Sequence, residues 1–272
     1  MEECQDELHK WGMANQVSFD ATKESKHILS RTQSYGAPFD LLGVRFDCKL
    51  LIPDTVSDLV KTCRWKLKSL LRTRRFNTGA QLVLLYKAQL LSFIEYRTPA
   101  IYHACCSALE NLDRVQSKLL EAAGMTDLDA LNHCHLAPLS TRRDIAILGL
   151  IHRTVLGKGP SHFCKFFRAD EKAREDGGGR HRMQLVEYTG GHWSDFMYPN
   201  SRPADYVKHS MLGLITVYNR LPRNVVEESF NVASFQTALQ HMVLETANAG
   251  VHNWQTLLSP RIPWHRHLLR DW

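Results

Sequence analysis

The 272-residue sequence has no long apolar run, and its longest, at residues 145–151, spans seven residues. A membrane-spanning helix needs about 20, so the sequence excludes one. The first residues are acidic and polar, without the basic and apolar regions of a secretory signal. The seven cysteines include no Cys-x-x-Cys pair, which disfavours a disulfide framework and indicates a reducing compartment. We therefore expect an intracellular protein, cytoplasmic or nuclear.

Spaced metal ligands are also missing from the sequence. A zinc site normally needs separated pairs of cysteine or histidine, whereas the candidates here are adjacent, at residues 105–106 and 133–135. We interpret both clusters as ordinary helix and loop residues, and we expect neither structural zinc nor a cofactor in this chain. Asp127 and Asp129 are better explained as a helix start. The glycines at 177–179 lack the strand and helix of a phosphate-binding loop.

One segment contains no acidic residue at all. Residues 59–94 carry eight positive charges, while the whole chain has a net charge of +6, so the remainder of the chain is slightly negative. The eight basic residues are Lys61, Arg64, Lys66, Lys68, Arg72, Arg74, Arg75 and Lys87. This concentration indicates a polyanionic partner. The alternative interpretation is a helix face that is only solvated.

Apolar periodicity predicts a mainly α chain with a small α/β part at the N-terminus. Extended stretches are expected at residues 16–19, 27–29, 39–46 and 49–52, and Gly43 allows a tight bend. Helices are expected at residues 1–16, 56–71, 80–104, 107–123, 140–156 and 234–249, with a helix or strand at 210–218. Gly124 is expected to end one helix. The charged segment at 168–182 is the best linker candidate.

Five groups of residues, in order along the chain, resemble one family. The first two are Trp11, Asn15 and Phe19-Asp20-x-x-Lys23, followed by Leu41-Leu42-Gly43-Val44-x-Phe46-Asp47. They resemble the end of the palm of a non-LTR (LINE-type) retrotransposon reverse transcriptase. The next groups are similar to the thumb of these elements: Leu84, Tyr86-Lys87-Ala88 and Ile94-Glu95-Tyr96, then Leu112-Asp113-x-Val115-Gln116. The last group resembles their tail: Tyr218-Asn219-Arg220-Leu221-Pro222 and Phe235-x-x-x-Leu239.

This resemblance implies four segments. They are the end of the palm at 1–54, a helical thumb-like domain at 55–167, a charged and glycine-rich linker and irregular region at 168–205, and a C-terminal helical region at 206–272. The implied function is that of the post-catalytic part of an RNA-directed DNA polymerase, which holds template and primer. The sequence departs from the family pattern at Asp20, Glu24 and Tyr218.

The catalytic centre of such a polymerase binds two Mg²⁺ ions through aspartates, including an Asp-Asp pair. This chain contains no Asp-Asp dipeptide. We therefore expect the chain to begin after the catalytic turn and to be inactive as a polymerase by itself. Mg²⁺ is expected only in the intact polymerase, whose missing upstream segment is a candidate partner. Two alternatives stay open: a non-enzymatic helical protein-interaction module, and a decayed copy without function.

The resemblance also implies roles for residues near the N-terminus. Lys23 matches a lysine that lies near the phosphates of the incoming nucleotide, and its alternative is a plain surface lysine. Gly43, Phe46 and Asp47 match the hairpin that grips the primer end, and their alternative is a hairpin that only packs on the thumb.

The basic helix is the predicted nucleic-acid-binding site. At 100° per residue its cations fall within an arc of about 80°, separate from the apolar face, and they are Lys61, Arg64, Lys68, Arg72 and Arg75. Such a row suits the phosphates of RNA or an RNA–DNA hybrid, with duplex DNA as a further candidate. Trp65 is expected either to stack on a base or ribose or to pack under the arginine stems.

Overall fold

The computed structural model describes residues 2–20, 22–30, 32–171, 181–187 and 207–270. It divides into two compact units, residues 1–51 and 52–272. The prediction of a mainly helical chain with a small β element is confirmed. Of the helices in these ranges, none is long and apolar enough to cross a membrane.

The first unit contains helix α1 (Glu2–Ala14) and a hairpin of strands β1 (Phe39–Leu41) and β2 (Val44–Phe46). Phe39 pairs with Phe46 in the antiparallel register. Leu42 and Gly43 connect the strands with φ values of 51° and 72°, as a tight hairpin turn requires. The turn therefore lies inside the predicted strand 39–46, and the predicted second strand at 49–52 is wrong, because Ile52 already begins the next helix.

The second unit begins with a group of helices around one apolar core. They are α2 (Ile52–Leu71), α3 (Gly79–Tyr86), α4 (Ser92–Glu95), α5 (Thr98–Ile101), α6 (Cys106–Ala123) and α7 (Asp127–Cys134). Helices α2 and α3 both pack on α6, and the buried faces include Val56, Cys63, Tyr86 and Leu112. Gly124 ends α6 with φ 66°, as predicted.

The predicted single helix at 80–104 is wrong beyond Glu95, where the helical structure ends, and before that point its hydrogen bonding changes once. Residues Lys87–Leu91 form a π-helical turn after α3, and α4 ends at Glu95. Pro99 then lies in the first turn of α5, where its missing N–H leaves no helical hydrogen bond unmade. Apolar periodicity continues across the π-helical turn and past the end of α4, so the pattern alone indicated neither feature.

A second apolar core follows in the same unit. It contains α8 (Leu139–Val155), α9 (Leu214–Asn219), α10 (Arg223–Glu227) and α11 (Val232–Asn248). Helix α8 packs along α11, and the predicted helices at 140–156 and 234–249 match them within two residues. Helix α10 was not predicted, because Pro222 was interpreted as a terminator, whereas it stands immediately before the first turn of α10.

The predicted linker at 168–205 is only partly within the described residues, since 172–180 and 188–206 lie outside them. Residues 181–187, the part of this segment that the structure describes beyond 171, contain no helix and no strand but pack against the second core. Leu185 and His181 are buried there, and Val186 N–H donates to the carbonyl of Arg168. Residues 55–167 and 206–272 were predicted as separate domains, whereas both belong to the one compact unit that begins at Ile52.

Candidate nucleic-acid interface

The basic row changes direction where α2 ends. Lys61, Arg64 and Lys68 lie on α2, whereas Arg72 follows the last helical residue, Leu71. Arg75 lies in a short 3₁₀ turn at Arg74–Phe76. The prediction of one helical row through Arg75 is therefore wrong. The cations instead follow the chain as it turns between α2 and α3. We call this turn, residues 72–78, the corner.

This corner is held by hydrogen bonds. The Thr73 hydroxyl donates to the Leu70 carbonyl at 2.8 Å, and the Asn77 amide donates back to the Thr73 carbonyl at 2.9 Å. Thr78 and Gln81 then form a reciprocal capping box that begins α3. Because both ends of the 72–78 segment are bonded to helix termini, its arginines are presented from a defined backbone.

The end of α2, the corner and α6 line an open groove with a volume of about 830 Å³. Its cations are Arg64, Lys68, Arg72, Arg74, Arg75 and Lys118. All six are exposed, and Leu67 and Leu71 also line the groove. Among the described residues, no carboxylate lines the groove or forms an ion pair with these six side chains. We call this surface the basic groove.

The structure assigns other positions to the remaining cations of the basic segment. Lys61 pairs with Asp58 at 3.0 Å, and Lys66 lies over the ring of Phe93 at 5.0 Å. Lys87 donates to the Cys134 carbonyl, and burial lowers its pKa. Five of the eight cations therefore remain for the basic groove. Lys118 joins them from α6, and no sequence signal pointed to it.

Two exposed aromatic side chains each follow a groove arginine directly in sequence. Trp65 follows Arg64 on α2 and leaves 68% of its surface exposed. Phe76 follows Arg75 in the 3₁₀ turn and leaves 76% exposed. The Arg75 guanidinium lies 5.1 Å from the centre of the Phe76 ring. Phe76 was not a predicted site residue, because the helical projection ended at Arg75.

Lys23 lies on an exposed loop of the first unit. Its ammonium group is 3.5 Å from the Asp20 carboxylate. The Thr22 hydroxyl and N–H both donate to Asp20 and lower the pKa of that carboxyl. The observed partners of Lys23 are thus local.

Of the three predicted primer-grip residues, Gly43 and Phe46 lie in the hairpin and Asp47 directly follows it. Gly43 forms the turn, and Phe46 stacks on Phe39 with ring centres 6.0 Å apart. Asp47 accepts the N–H groups of Lys49 and Leu51 at 2.8 and 2.9 Å. The Asp47 carboxylate therefore stabilises the chain that leaves the hairpin.

The thumb-like motifs supply ties between helices. Tyr86 and Gln116 are buried and hydrogen-bonded at 3.4 Å, and Gln116 also donates to the Ala137 carbonyl. Asp113 accepts two bonds from the buried guanidinium of Arg143, at 2.6 and 2.9 Å. These side chains join α3, α6 and α8 through hydrogen bonds.

The tail motif has the same character. Asn219 donates to the Leu185 carbonyl at 2.7 Å and accepts from the Leu185 N–H at 2.8 Å. The Tyr218 carbonyl bonds to the ring of His181 at 2.9 Å. Residues 218 and 219 therefore attach the 181–187 segment to the second core.

Buried ionisable groups outside the basic groove were also not predicted. Burial raises the pKa of Asp144 to about 7, and the Tyr102 hydroxyl donates to it at 2.7 Å. Cys106 lies 3.4 Å from the His209 ring nitrogen. Within the described ranges, no group of three or more histidine, cysteine or acidic side chains is placed to hold a metal ion. In the 133–135 cluster, His135 takes φ 49° to end α7.

Comparisons of this chain with models of protein families, with curated proteins and with solved structures found no match.

Proposed function

We propose that this chain is the post-catalytic part of a retrotransposon RNA-directed DNA polymerase and that it binds template–primer nucleic acid through the basic groove. The order of the five sequence motifs along the chain supports the assignment to this family. The observation that carries the binding role is the groove itself, which six exposed cations line and no carboxylate of the described residues does. Closely grouped cations of this kind attract a polyanion and repel one another in its absence.

The proposed ligand chemistry is phosphate rather than base edges. Five of the six cations lie on one stretch of chain that ends α2 and turns toward α3, so they meet successive phosphates of one backbone. Binding through phosphates tolerates many sequences and releases counterions. We therefore expect weak sequence preference and strong dependence on salt.

A salt titration tests this proposal. Affinity for an RNA–DNA hybrid is measured by fluorescence anisotropy across a salt series, for the wild type and for a groove variant carrying Arg64→Gln, Lys68→Gln, Arg72→Gln and Arg75→Gln. About four phosphate contacts give a slope of log K against log salt near −4. We expect the groove variant to lose most of this slope.

The matched control removes the same charge elsewhere in the second unit. It carries Lys61→Gln, Arg114→Gln, Lys158→Gln and Arg266→Gln, all at exposed positions that do not line the basic groove. We expect this control to keep nearly the wild-type slope. Equal slopes for the groove variant and the wild type would overturn the proposed binding role.

The alternative of a protein-interaction module is favoured by a different observation. In the first unit, α1 exposes the apolar side chains Leu8 and Trp11, three residues apart on one face, by 52% and 56%. Exposed apolar side chains grouped in this way are typical of a surface that another protein covers. This function predicts that both four-site variants bind nucleic acid equally, so the salt titration separates it from the first proposal.

A further inference from the structure

The large apolar ring of Phe76 is exposed to solvent, although the turn that carries it is fixed by hydrogen bonds. Its N–H donates to the Thr73 carbonyl at 2.9 Å, and Asn77 bonds to the same carbonyl. Gly79 then brings the start of α3 against the end of α6 so closely that an added Cβ would lie 2.7 Å from the Ala123 carbonyl oxygen. The ring is therefore presented by a backbone that is anchored on both sides.

Trp65 is presented in a comparable way from α2. It precedes Lys68 by three residues and follows Lys61 by four, so all three share one helix surface. Helix α2 is packed on α6 along its opposite face. Each aromatic ring thus follows a groove arginine directly in sequence, with Arg64 before Trp65 and Arg75 before Phe76.

We propose that the basic groove binds a single-stranded segment of nucleic acid, with its phosphates on the cations and unpaired bases stacked on Phe76 and Trp65. This inference rests on the proposed function and specifies which part of a template–primer the groove takes. The unpaired strand is favoured over the paired region. Every base has a stacking face, so the interaction is tolerant of sequence.

Two features favour an unpaired strand. Bases in a duplex are already stacked on their neighbours, so an exposed aromatic ring gains a base face only where the strand is unpaired. Leu71, which is partly buried, also lines the basic groove, and it offers apolar contact to sugars and bases. A duplex presents mainly phosphates to an exterior cation row and would leave Leu71 and both rings without a partner.

The test compares a labelled single-stranded RNA of about 12 nucleotides, a length within known single-strand sites, with a blunt duplex of the same sequence. Wild-type protein should prefer the single strand. Phe76→Ala and Trp65→Ala should each weaken single-strand binding about ten-fold while leaving duplex binding nearly unchanged. Trp65→Phe, which keeps a stacking ring, should retain most of the affinity.

Phe230→Ala is the matched control, because Phe230 is 79% exposed and does not line the basic groove. Equal single-strand affinity for Phe76→Ala, Trp65→Ala and Phe230→Ala would overturn the inference, and so would tighter binding of the duplex. The groove variant distinguishes the two proposals. If the groove variant loses affinity and the two aromatic variants do not, the proposal of phosphate binding is supported and that of base stacking is contradicted. If the groove variant binds like the wild type, the proposed function is contradicted as well.

Discussion

His152 is a fully buried imidazole whose two ring nitrogens both have partners. The Nε2 atom lies 2.9 Å from the Ser229 carbonyl, and Nδ1 lies 3.0 Å from the Tyr218 hydroxyl. Since a carbonyl only accepts, Nε2 carries the proton and Nδ1 accepts from Tyr218. The ring also stacks on Phe235 at 4.1 Å. This arrangement satisfies the neutral imidazole, whereas a second proton on Nδ1 would take the Tyr218 hydroxyl as its acceptor and deprive that hydroxyl of the nitrogen to which it donates.

Burial accordingly lowers the pKa of His152 in the folded protein, whereas an unfolded histidine titrates near 6.5. Because the unfolded state takes up the proton first, the stabilisation is complete above about pH 6.5 and is lost as pH falls toward the lower folded pKa. We expect the wild type to have a higher free energy of unfolding than His152→Gln at about pH 7.5. This difference should shrink as the pH falls to about 5.

Glutamine at position 152 is able to donate to Ser229 and accept from Tyr218 without titrating. Denaturant unfolding at a series of pH values measures the difference. His252→Gln, at an exposed position, controls for the general effect of losing an imidazole. A wild-type advantage over His152→Gln that stays constant across this range would contradict the assigned protonation state.

At the scale of elements, Gly79 sets how closely α3 approaches the end of α6. Alanine would bring its Cβ to 2.7 Å from the Ala123 carbonyl oxygen, which is backbone and has little freedom to move. We expect Gly79→Ala to lower the free energy of unfolding by about 1–3 kcal/mol, as overpacking commonly does. Ala80→Ser, one residue later and exposed, should change the stability much less. A neutral or stabilising Gly79→Ala, measured by urea unfolding, would show that the two helices separate easily.

Helices with a strong apolar face and a clear terminator were predictable from sequence. Helix α6 has both, since its buried face repeats regularly and Gly124 ends it in the left-handed conformation. The π-helical turn Lys87–Leu91 was not predictable, because its residues keep an apolar pattern while the hydrogen bonding changes. The end of α2 at Leu71 was predicted correctly. The row of cations was nevertheless projected past it to Arg75, which lies in the 3₁₀ turn of the corner.

The same reasons explain which residues of the candidate site were predictable from the sequence. Arg64 and Lys68 were predictable, because both lie on α2, a helix that the apolar periodicity predicted. Arg72 and Arg75 do line the basic groove, but through the corner rather than through a helical row. Lys118 comes from α6 and required the packing of α2 on that helix. A tertiary juxtaposition of this kind leaves no trace in local periodicity.

At the scale of the whole second unit, polar ties run between its two apolar cores. Arg143 of α8 bonds to Asp113 of α6, and Arg142 of the same helix pairs with Glu95 of α4. Thr141 donates to the Gln255 carbonyl near the C-terminal end. Helix α8 therefore contacts both groups of helices through hydrogen bonds as well as through packing. This continuity is the physical reason why residues 55–167 and 206–272 do not separate.

The unbalanced charge of the basic groove has a consequence for the free protein. Folding gathers Arg64, Lys68, Arg72, Arg74, Arg75 and Lys118 around one groove, whereas the unfolded chain spreads them apart, so their repulsion opposes folding. Dissolved ions screen that repulsion. We therefore expect the melting temperature of the ligand-free protein to rise with added sodium chloride and the groove variant to respond less. A melting temperature that is unchanged or falls with salt would contradict this view. Ionic strength thus acts on this molecule in two opposite directions, strengthening the empty fold while weakening its hold on nucleic acid.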